Sequence, residues 1–172
     1  KEHGFDCIIS TDGDGDRPLI SDEKGVWLRG DVAGILCAQY LAADAVITPV
    51  NCNSALELSN WFNYTQRTQI GSPFVIAGMV EAEANYERVI GYEANGGVLV
   101  GSEIVKGERR LAPLLTRDAA IVPLAILVLA KERRLTLSGL LKTLPERFTI
   151  SNRLKDFPTE RSTQILSPFL TL

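Results

Sequence analysis

Hydrophobic residues fall in short runs that alternate with stretches of helical spacing, and this order predicts a layered α/β fold. Asp6 to Ser10 reads as a continuous, buried apolar strand, and Pro18 to Ser21 with Val26 to Leu28 as a hairpin around Glu23-Lys24-Gly25. Asp31 is placed to cap a helix whose Val32, Ile35, Leu36 and Tyr40 share a face. Ala45 to Val50 is the next strand. Ser54 and Glu57 have capping-box spacing before Leu58, Trp61 and Phe62, which predicts a helix burying those three. Arg67 to Ile70 is a strand candidate, and Ser72-Pro73 opens a helix expected to bury Phe74, Ala77 and Val80.

Arg88 to Tyr92 and Val98 to Val100 read as strands flanking a glycine loop. Thr116 or Asp118 then caps a long helix ending near Arg134, with Pro123 expected to kink its early turns. Thr136 starts one more, packing Leu137, Leu140, Leu141 and Leu144. From Asn152 to Leu172 no period is visible, which predicts a linker.

Composition narrows the class. The chain has 172 residues, 45% hydrophobic and 23% charged, enough for a proper core. A net charge of -3 and a pI near 5.3, with no basic cluster beyond Lys131-Glu132-Arg133-Arg134, argue against a nucleic-acid partner. The longest apolar run, Ala119 to Ala130, is too short to span a bilayer and contains Pro123, so no membrane partner is expected. Cys7, Cys37 and Cys52 are odd in number and irregularly spaced in apolar surroundings, which fits reduced thiols and a cytoplasmic location. His3, the sole histidine, reads as a surface residue of a frayed terminus and leaves no histidine-based triad or zinc cluster to assemble. The chain opens at Lys1, without methionine, in the run-up to a strand, as an excised piece of a longer protein would.

The chemistry concentrates in Thr11-Asp12-Gly13-Asp14-Gly15-Asp16-Arg17. Three carboxylates on alternate residues repel one another by on the order of 1 kcal/mol per pair at contact, even at high dielectric. A cation belongs among them. Oxygen-only donors on a short loop suit Mg²⁺, which keeps positions open for water or phosphate. Gly13 and Gly15 let the backbone fold tightly, and the Arg17 fork matches phosphate oxygens in pairs. A calcium loop of the EF-hand type is the main rival, with Glu23 at its twelfth position. It needs glycine at the sixth, where Arg17 stands before Pro18, and an entering helix where a strand is expected. A plain solvated acidic turn is the other alternative.

A second loop, Gly91-Tyr92-Glu93-Ala94-Asn95-Gly96-Gly97, lies between two strands. Read as extended, it turns Glu93 and Asn95 the same way, and a carboxylate beside a carboxamide suits neighbouring sugar hydroxyls. On pattern alone, a glycine-rich hairpin with polar decoration explains it equally well.

Together the loops are more specific. Asp-Gly-Asp-Gly-Asp-Arg, followed about 75 residues later by Gly-x-Glu-x-Asn-Gly-Gly and then by Thr116-Arg117-Asp118-Ala119-Ala120-Ile121, resembles the α-D-phosphohexomutase family of phosphomannomutases and phosphoglucomutases. The resemblance covers residues 1 to about 150. It extends to Val50-Asn51-Cys52-Asn53 and to the Ile70-Gly71-Ser72 turn. It implies an α/β layered domain with a mixed sheet flanked by helices, as in the family's third domain. Residues 1–25 would close the metal-binding second domain, residues 26–145 would form the sugar-binding third, and residues 146–172 would lead to a fourth.

The implied activity is interconversion of hexose 1-phosphate and hexose 6-phosphate, of mannose or glucose, through a phosphoserine enzyme and a bisphosphate intermediate. Asp12, Asp14 and Asp16 match the family's Mg²⁺ ligands, and Arg17 its phosphate-contacting arginine. Glu93 and Asn95 match the residues that hold the sugar's 3- and 4-hydroxyls. Arg117 is a further candidate for the same pocket, or simply a charge at a helix start. The implied partners are a hexose phosphate and the remaining domains of the parent chain. This sequence departs from the family at Asn95, often Ser, at Gly97, where His is common, and at the Ile70-Gly71 turn, which lacks a following His. It contains neither a Ser-His-Asn nucleophile segment nor an Arg-x-Ser-Gly-Thr phosphate clamp, so these residues alone are expected to be inactive. A noncatalytic module binding metal or sugar phosphate is the alternative.

Overall fold

In the computed structural model, which describes residues 4–152 and 154–170, the centre is a four-stranded mixed sheet between two helical layers. His3 lies outside the described residues. Strands β1 (Ile9–Thr11) and β2 (Pro18–Ile20) form an antiparallel ribbon whose turn carries the aspartates. The sheet itself consists of β3 (Ala45–Pro49), β4 (Tyr64–Thr68), β5 (Val89–Tyr92) and β6 (Val98–Val100), in the order β4-β3-β5-β6. β3 runs parallel to both neighbours, and β6 returns antiparallel to β5.

Both faces of β3, β5 and β6 are buried, so these strands are largely apolar, and the pleat sorts their side chains between the two layers. Ala45, Ile47, Val89 and Leu99 meet Val75, Met79 and Ala82 of α3 (Ser72–Ala82). Val46, Ile90, Tyr92, Val98 and Val100 face the opposite way. They pack with Ile35 and Leu36 of α1 (Gly30–Tyr40) and with Val122, Ile126 and Leu129 of α4 (Ile121–Arg133). Between β3 and β4 lies α2 (Ala55–Leu58). After β6 come a small hairpin, β7 (Ile104–Lys106) with β8 (Arg109–Leu111), and later α5 (Leu137–Leu141) and α6 (Thr159–Leu166). The expected α/β layers, the mixed sheet, β3, β5, β6 and the Thr136 cap of α5 are all present, the cap accepting from Gly139 N at 3.1 Å.

Several expectations are corrected. The first strand is shorter than Asp6–Ser10, and its residues are exposed, because β1 pairs with β2 alone at the outside of the ribbon, while β2 turns Ile20 into the core. The hairpin turn at residues 22–26 is present, with Asp22 Oδ1 accepting from Lys24 N and Val26 N, but its return arm makes only a single bridge, Trp27 to Ser21. Asp31 does not cap α1. Arg29 holds that position, while the fully buried Asp31 accepts from Val32 N at 2.9 Å and from Asn53 N at 3.0 Å, tying α1 to the loop after β3.

The capping box at Ser54 does not form. Asn53 Oδ1 accepts from Ala55 N instead, Glu57 pairs with Arg67, and Asn60 turns left-handed, ending α2 after Leu58. Leu58 is therefore exposed, and Trp61 and Phe62 reach the core from the turn that follows. β4 starts three residues earlier than expected and ends two earlier. It is a polar, half-buried edge strand fixed by its parallel register with β3, so apolar content does not mark it.

The face of α3 is rotated. Phe74 and Val80 are 46% and 56% exposed, whereas Val75, Gly78 and Met79 face the sheet. Close approach selects that face: a Cβ at Gly78 would lie 2.9 Å from Ile47 Cγ2, and one at Gly91 would enter Met79 Sδ. Pro123 is the third residue of α4, where a missing N–H costs no intrahelical bond, so the reason for a kink is absent. Asp118 does serve that helix, accepting from Ala120 N and Ile121 N. The segment read as a linker contains α6 and a 3₁₀ turn at Ser167–Phe169, neither with a buried residue.

Candidate functional site

The aspartate loop is closed by its own backbone. Gly15 adopts φ 77°, Gly15 N donates to Asp12 O at 3.2 Å, and Asp12 Oδ1 accepts from Arg17 N at 3.2 Å. That turn gathers one carboxylate oxygen each from Asp12, Asp14 and Asp16 within 4.8 Å of one another, the only such acidic, histidine or cysteine group among the described residues. Arg17 leans back over it, its Nε 3.5 Å from Asp12 Oδ2 and 3.6 Å from Asp16 Oδ1. Asp16 Oδ1 is buried and accepts no hydrogen bond. Three hard oxygen donors converging on one point, beside a buried Asp16 Oδ1 that has no hydrogen-bond partner, fit a divalent cation such as Mg²⁺.

Glu23 takes no part. Its carboxylate accepts from Ser138 N and Oγ at the start of α5, and these bonds hold its pKa down to about 2. The calcium-loop alternative therefore loses its twelfth ligand as well as its glycine.

The second loop is a turn. Gly96 N donates to Glu93 O and Glu93 N to Gly97 O, with Gly96 at φ 89°. The extended reading of Glu93 and Asn95 is thus corrected. Glu93 is 6% exposed, while Asn95 is exposed and spends its carbonyl oxygen on Gly97 N at 2.9 Å. The start of α1 supports this turn from below, since Gly30 lies so close that a Cβ there would overlap Gly96 N.

Arg117, just before α4, joins the two loops. Its Nε donates to Glu93 Oε2 at 2.7 Å, Nη1 to Asp16 Oδ2 at 2.8 Å and Nη2 to Ser72 Oγ at 3.3 Å. The bond from Arg117 is the main reason the Asp16 pKa lies below the usual carboxylate range, and the two carboxylates raise that of Arg117. Its side chain lies flat over Gly97, where a Cβ would fall 2.5 Å from Arg117 Cδ. The structure thus brings Asp12, Asp14, Asp16, Arg17, Glu93 and Arg117 together, while Asn95 serves its own turn. Ser72 joins this group through Arg117 without a sequence signal for it. Its serine-proline pattern reads as a cap, but Gly71 holds the cap position, and the partner of the Ser72 hydroxyl lies 45 residues away.

The site opens at the carboxyl ends of β3, β4 and β5, the edge where open α/β sheets bind ligands. Residues 29–148 match the family model described as phosphoglucomutase/phosphomannomutase, alpha/beta/alpha domain III. The chain belongs to that family. A phosphomannomutase of Salmonella muenchen is 48% identical over 171 residues, covering 99% of this chain and 35% of the relative. One from Sinorhizobium fredii is 42% identical over 168 residues, covering 97% and 35%. This phosphohexomutase chain therefore spans about a third of the length of the curated relatives it matches.

Solved structures agree on the fold. A phosphoglucomutase/phosphomannomutase family protein of Burkholderia thailandensis superposes with a TM-score of 0.60 at 21% identity, over 85% of this chain and 30% of that one. The Aspergillus fumigatus N-acetylphosphoglucosamine mutase, in complex with GlcNAc-6P and magnesium, gives 0.62 at 15% identity, over 81% and 36%.

Proposed function

We propose that this chain supplies the Mg²⁺ loop and the sugar-binding loop of a phosphohexomutase that interconverts hexose 1-phosphate and hexose 6-phosphate, of mannose or glucose. The observation that carries this reading is the Arg117 bridge, which makes the aspartate loop and the Glu93 loop one continuous site. Asp12, Asp14 and Asp16 would hold the cation. When bound, it would neutralise phosphate charge beside the serine that exchanges the phosphoryl group.

The residues of this chain position and balance charge. Arg17 stands at the rim of the acidic cluster, its side chain 43% exposed, and its fork is suited to pair phosphate oxygens. Glu93, almost fully buried, would accept from sugar hydroxyls, and the amide nitrogen of Asn95 borders the same turn. Arg117 stands beside them with two N–H donors beyond the three it uses. Phosphoryl transfer draws its acceleration from positioning and electrostatics, which is what such groups provide.

The phosphoserine and the bisphosphate intermediate require residues beyond this sequence, since no Ser-His-Asn segment occurs in it, and we expect these 172 residues alone to be inactive. The unpaired thiols of Cys7, Cys37 and Cys52 support a cytoplasmic setting, and no helix among the described residues is long and apolar enough to cross a membrane. Assaying the longer protein with mannose 1-phosphate and glucose 1-phosphate tests the proposal. Formation of the 6-phosphate with Mg²⁺ supports it, and no conversion of either sugar overturns it.

A further inference from the structure

Arg117 meets carboxylates from both loops at once. Its donors reach Asp16, from the aspartate loop, and Glu93, from the other, across 101 and 24 residues of sequence. Both bonds are short and charge-assisted, and the guanidinium is largely shielded, with 24% of its side chain exposed. A planar fork can satisfy two carboxylates in fixed relative positions, whereas a lysine ammonium is a single point charge on a flexible stem. Room for the fork comes from Gly97. No positive φ calls for glycine there, yet its missing Cβ is the space that the Arg117 Cγ and Cδ occupy.

The same contact has an electrostatic consequence. Asp16 faces two claims on its charge, one from Arg117 through Oδ2 and one from any cation gathered with Asp12 and Asp14. A positive group already bonded to one carboxylate of the triplet lowers the attraction of the triplet for a second positive charge. Arg117 therefore weakens cation binding while it strengthens the hold on Glu93.

The geometry points to Arg117 as a positioning residue that sets the two loops against each other, moderating the cation affinity of the aspartate triplet while fixing Glu93 for the sugar, with Gly97 as the space that admits it. The sugar half of this inference rests on the proposed mutase function. The cation half does not.

The test uses the full-length protein and three variants. Mg²⁺ alone is titrated by calorimetry, amide exchange is followed at residues 93–97, and KM and kcat are measured with mannose 1-phosphate. Arg117→Ala should bind Mg²⁺ about three- to tenfold tighter, as expected from removing a unit charge beside the site. It should also exchange faster at Gly96 and Gly97 and raise KM about tenfold, the weight of one charge-assisted hydrogen bond. Arg117→Lys retains the charge without the fork, so Mg²⁺ affinity should stay within about twofold of wild type while exchange at the turn rises. Gly97→Ala should reproduce the faster exchange and the higher KM, because the new methyl displaces the arginine.

Unchanged or weaker Mg²⁺ binding in a folded Arg117→Ala protein overturns the proposal, as does absence of Mg²⁺ binding in wild type and variants alike. Equal exchange at residues 93–97 in wild type and Gly97→Ala overturns it too. Should the wild type convert no hexose phosphate, the mutase reading falls, and the titration and exchange still decide whether Arg117 couples the loops.

Discussion

Glu23 and Ser138, 115 residues apart in the chain, are joined by two hydrogen bonds, from the Ser138 amide to Oε2 at 3.1 Å and from its hydroxyl to Oε1 at 2.5 Å. The turn after β2 is thereby fastened to the first turn of α5. Because these bonds favour the ionised carboxylate, Glu23 has its pKa lowered from 4.5 to about 2 in the folded chain. A depressed carboxylate contributes stability that is complete above the unfolded value and is lost as pH falls through the folded one. The stability difference between wild type and Glu23→Gln should therefore be greatest above pH 4.5 and close as the pH approaches 2. Urea unfolding at intervals between pH 6 and 2 measures it, and a difference independent of pH would remove the charge from the account.

Asp14 is the exposed member of the acidic triplet, and the fold does not lean on it. Asp14→Asn should leave unfolding stability within about 0.5 kcal/mol of wild type, as is usual for surface changes. In the full-length protein it should cut turnover by about 10²–10³, the usual cost of losing one preorganised electrostatic group. Chelation of divalent ions should silence the wild type, and added Mg²⁺ should restore it. Near-normal turnover in the variant would take the aspartate loop out of the chemistry.

For Glu93, burial and the bond to Arg117 make the charge matter twice. Glu93→Gln keeps the shape but leaves the Arg117 Nε donor facing a neutral acceptor. We expect a loss of about 1–3 kcal/mol in stability, together with a higher KM and a lower kcat for hexose phosphate. Thermal unfolding and steady-state kinetics on one preparation separate the effects. Lower stability with unchanged kinetics would make Glu93 a structural partner of Arg117 and nothing more.

What the sequence reveals and what it hides divide along physical lines. The gathering of Asp12, Asp14 and Asp16 beside Arg17 is legible because it is local: charges spaced within a few residues crowd together wherever the loop sits. The strands β3, β5 and β6 are legible because burial on both faces makes them continuously apolar. The rotated face of α3 is not. Phe74 and Val80 satisfy helical periodicity as well as Val75 and Met79 do, and only the close approach allowed by Gly78 and Gly91 chooses between them. β4 eludes the pattern because its pairing with β3, not its own composition, makes it a strand. Arg117 stands out as a charge at a helix start, but its three partners lie 24, 45 and 101 residues away, a relation that no local spacing encodes.

Gly30, at the start of α1, sets the height of the Glu93 turn. A Cβ placed there would overlap Gly96 N and sit 2.4 Å from Asn95 C and 2.6 Å from Ala94 O. All three are backbone atoms, so no side-chain rotation relieves the clash, and either the start of α1 or the turn at residues 94–96 must move. Overpacking of this kind costs about 1–3 kcal/mol. Because displacement of about 1 Å at a positioning group can cost on the order of 10²-fold in rate, Gly30→Ala should impair kcat/KM far more than its loss of stability suggests. Mg²⁺ binding should stay unchanged, since the contact lies at residues 94–96 and not at the aspartates. Unfolding curves, cation titration and kinetics on the full-length variant test this together, and wild-type kinetics would mean that the turn yields to the methyl group without consequence for the sugar.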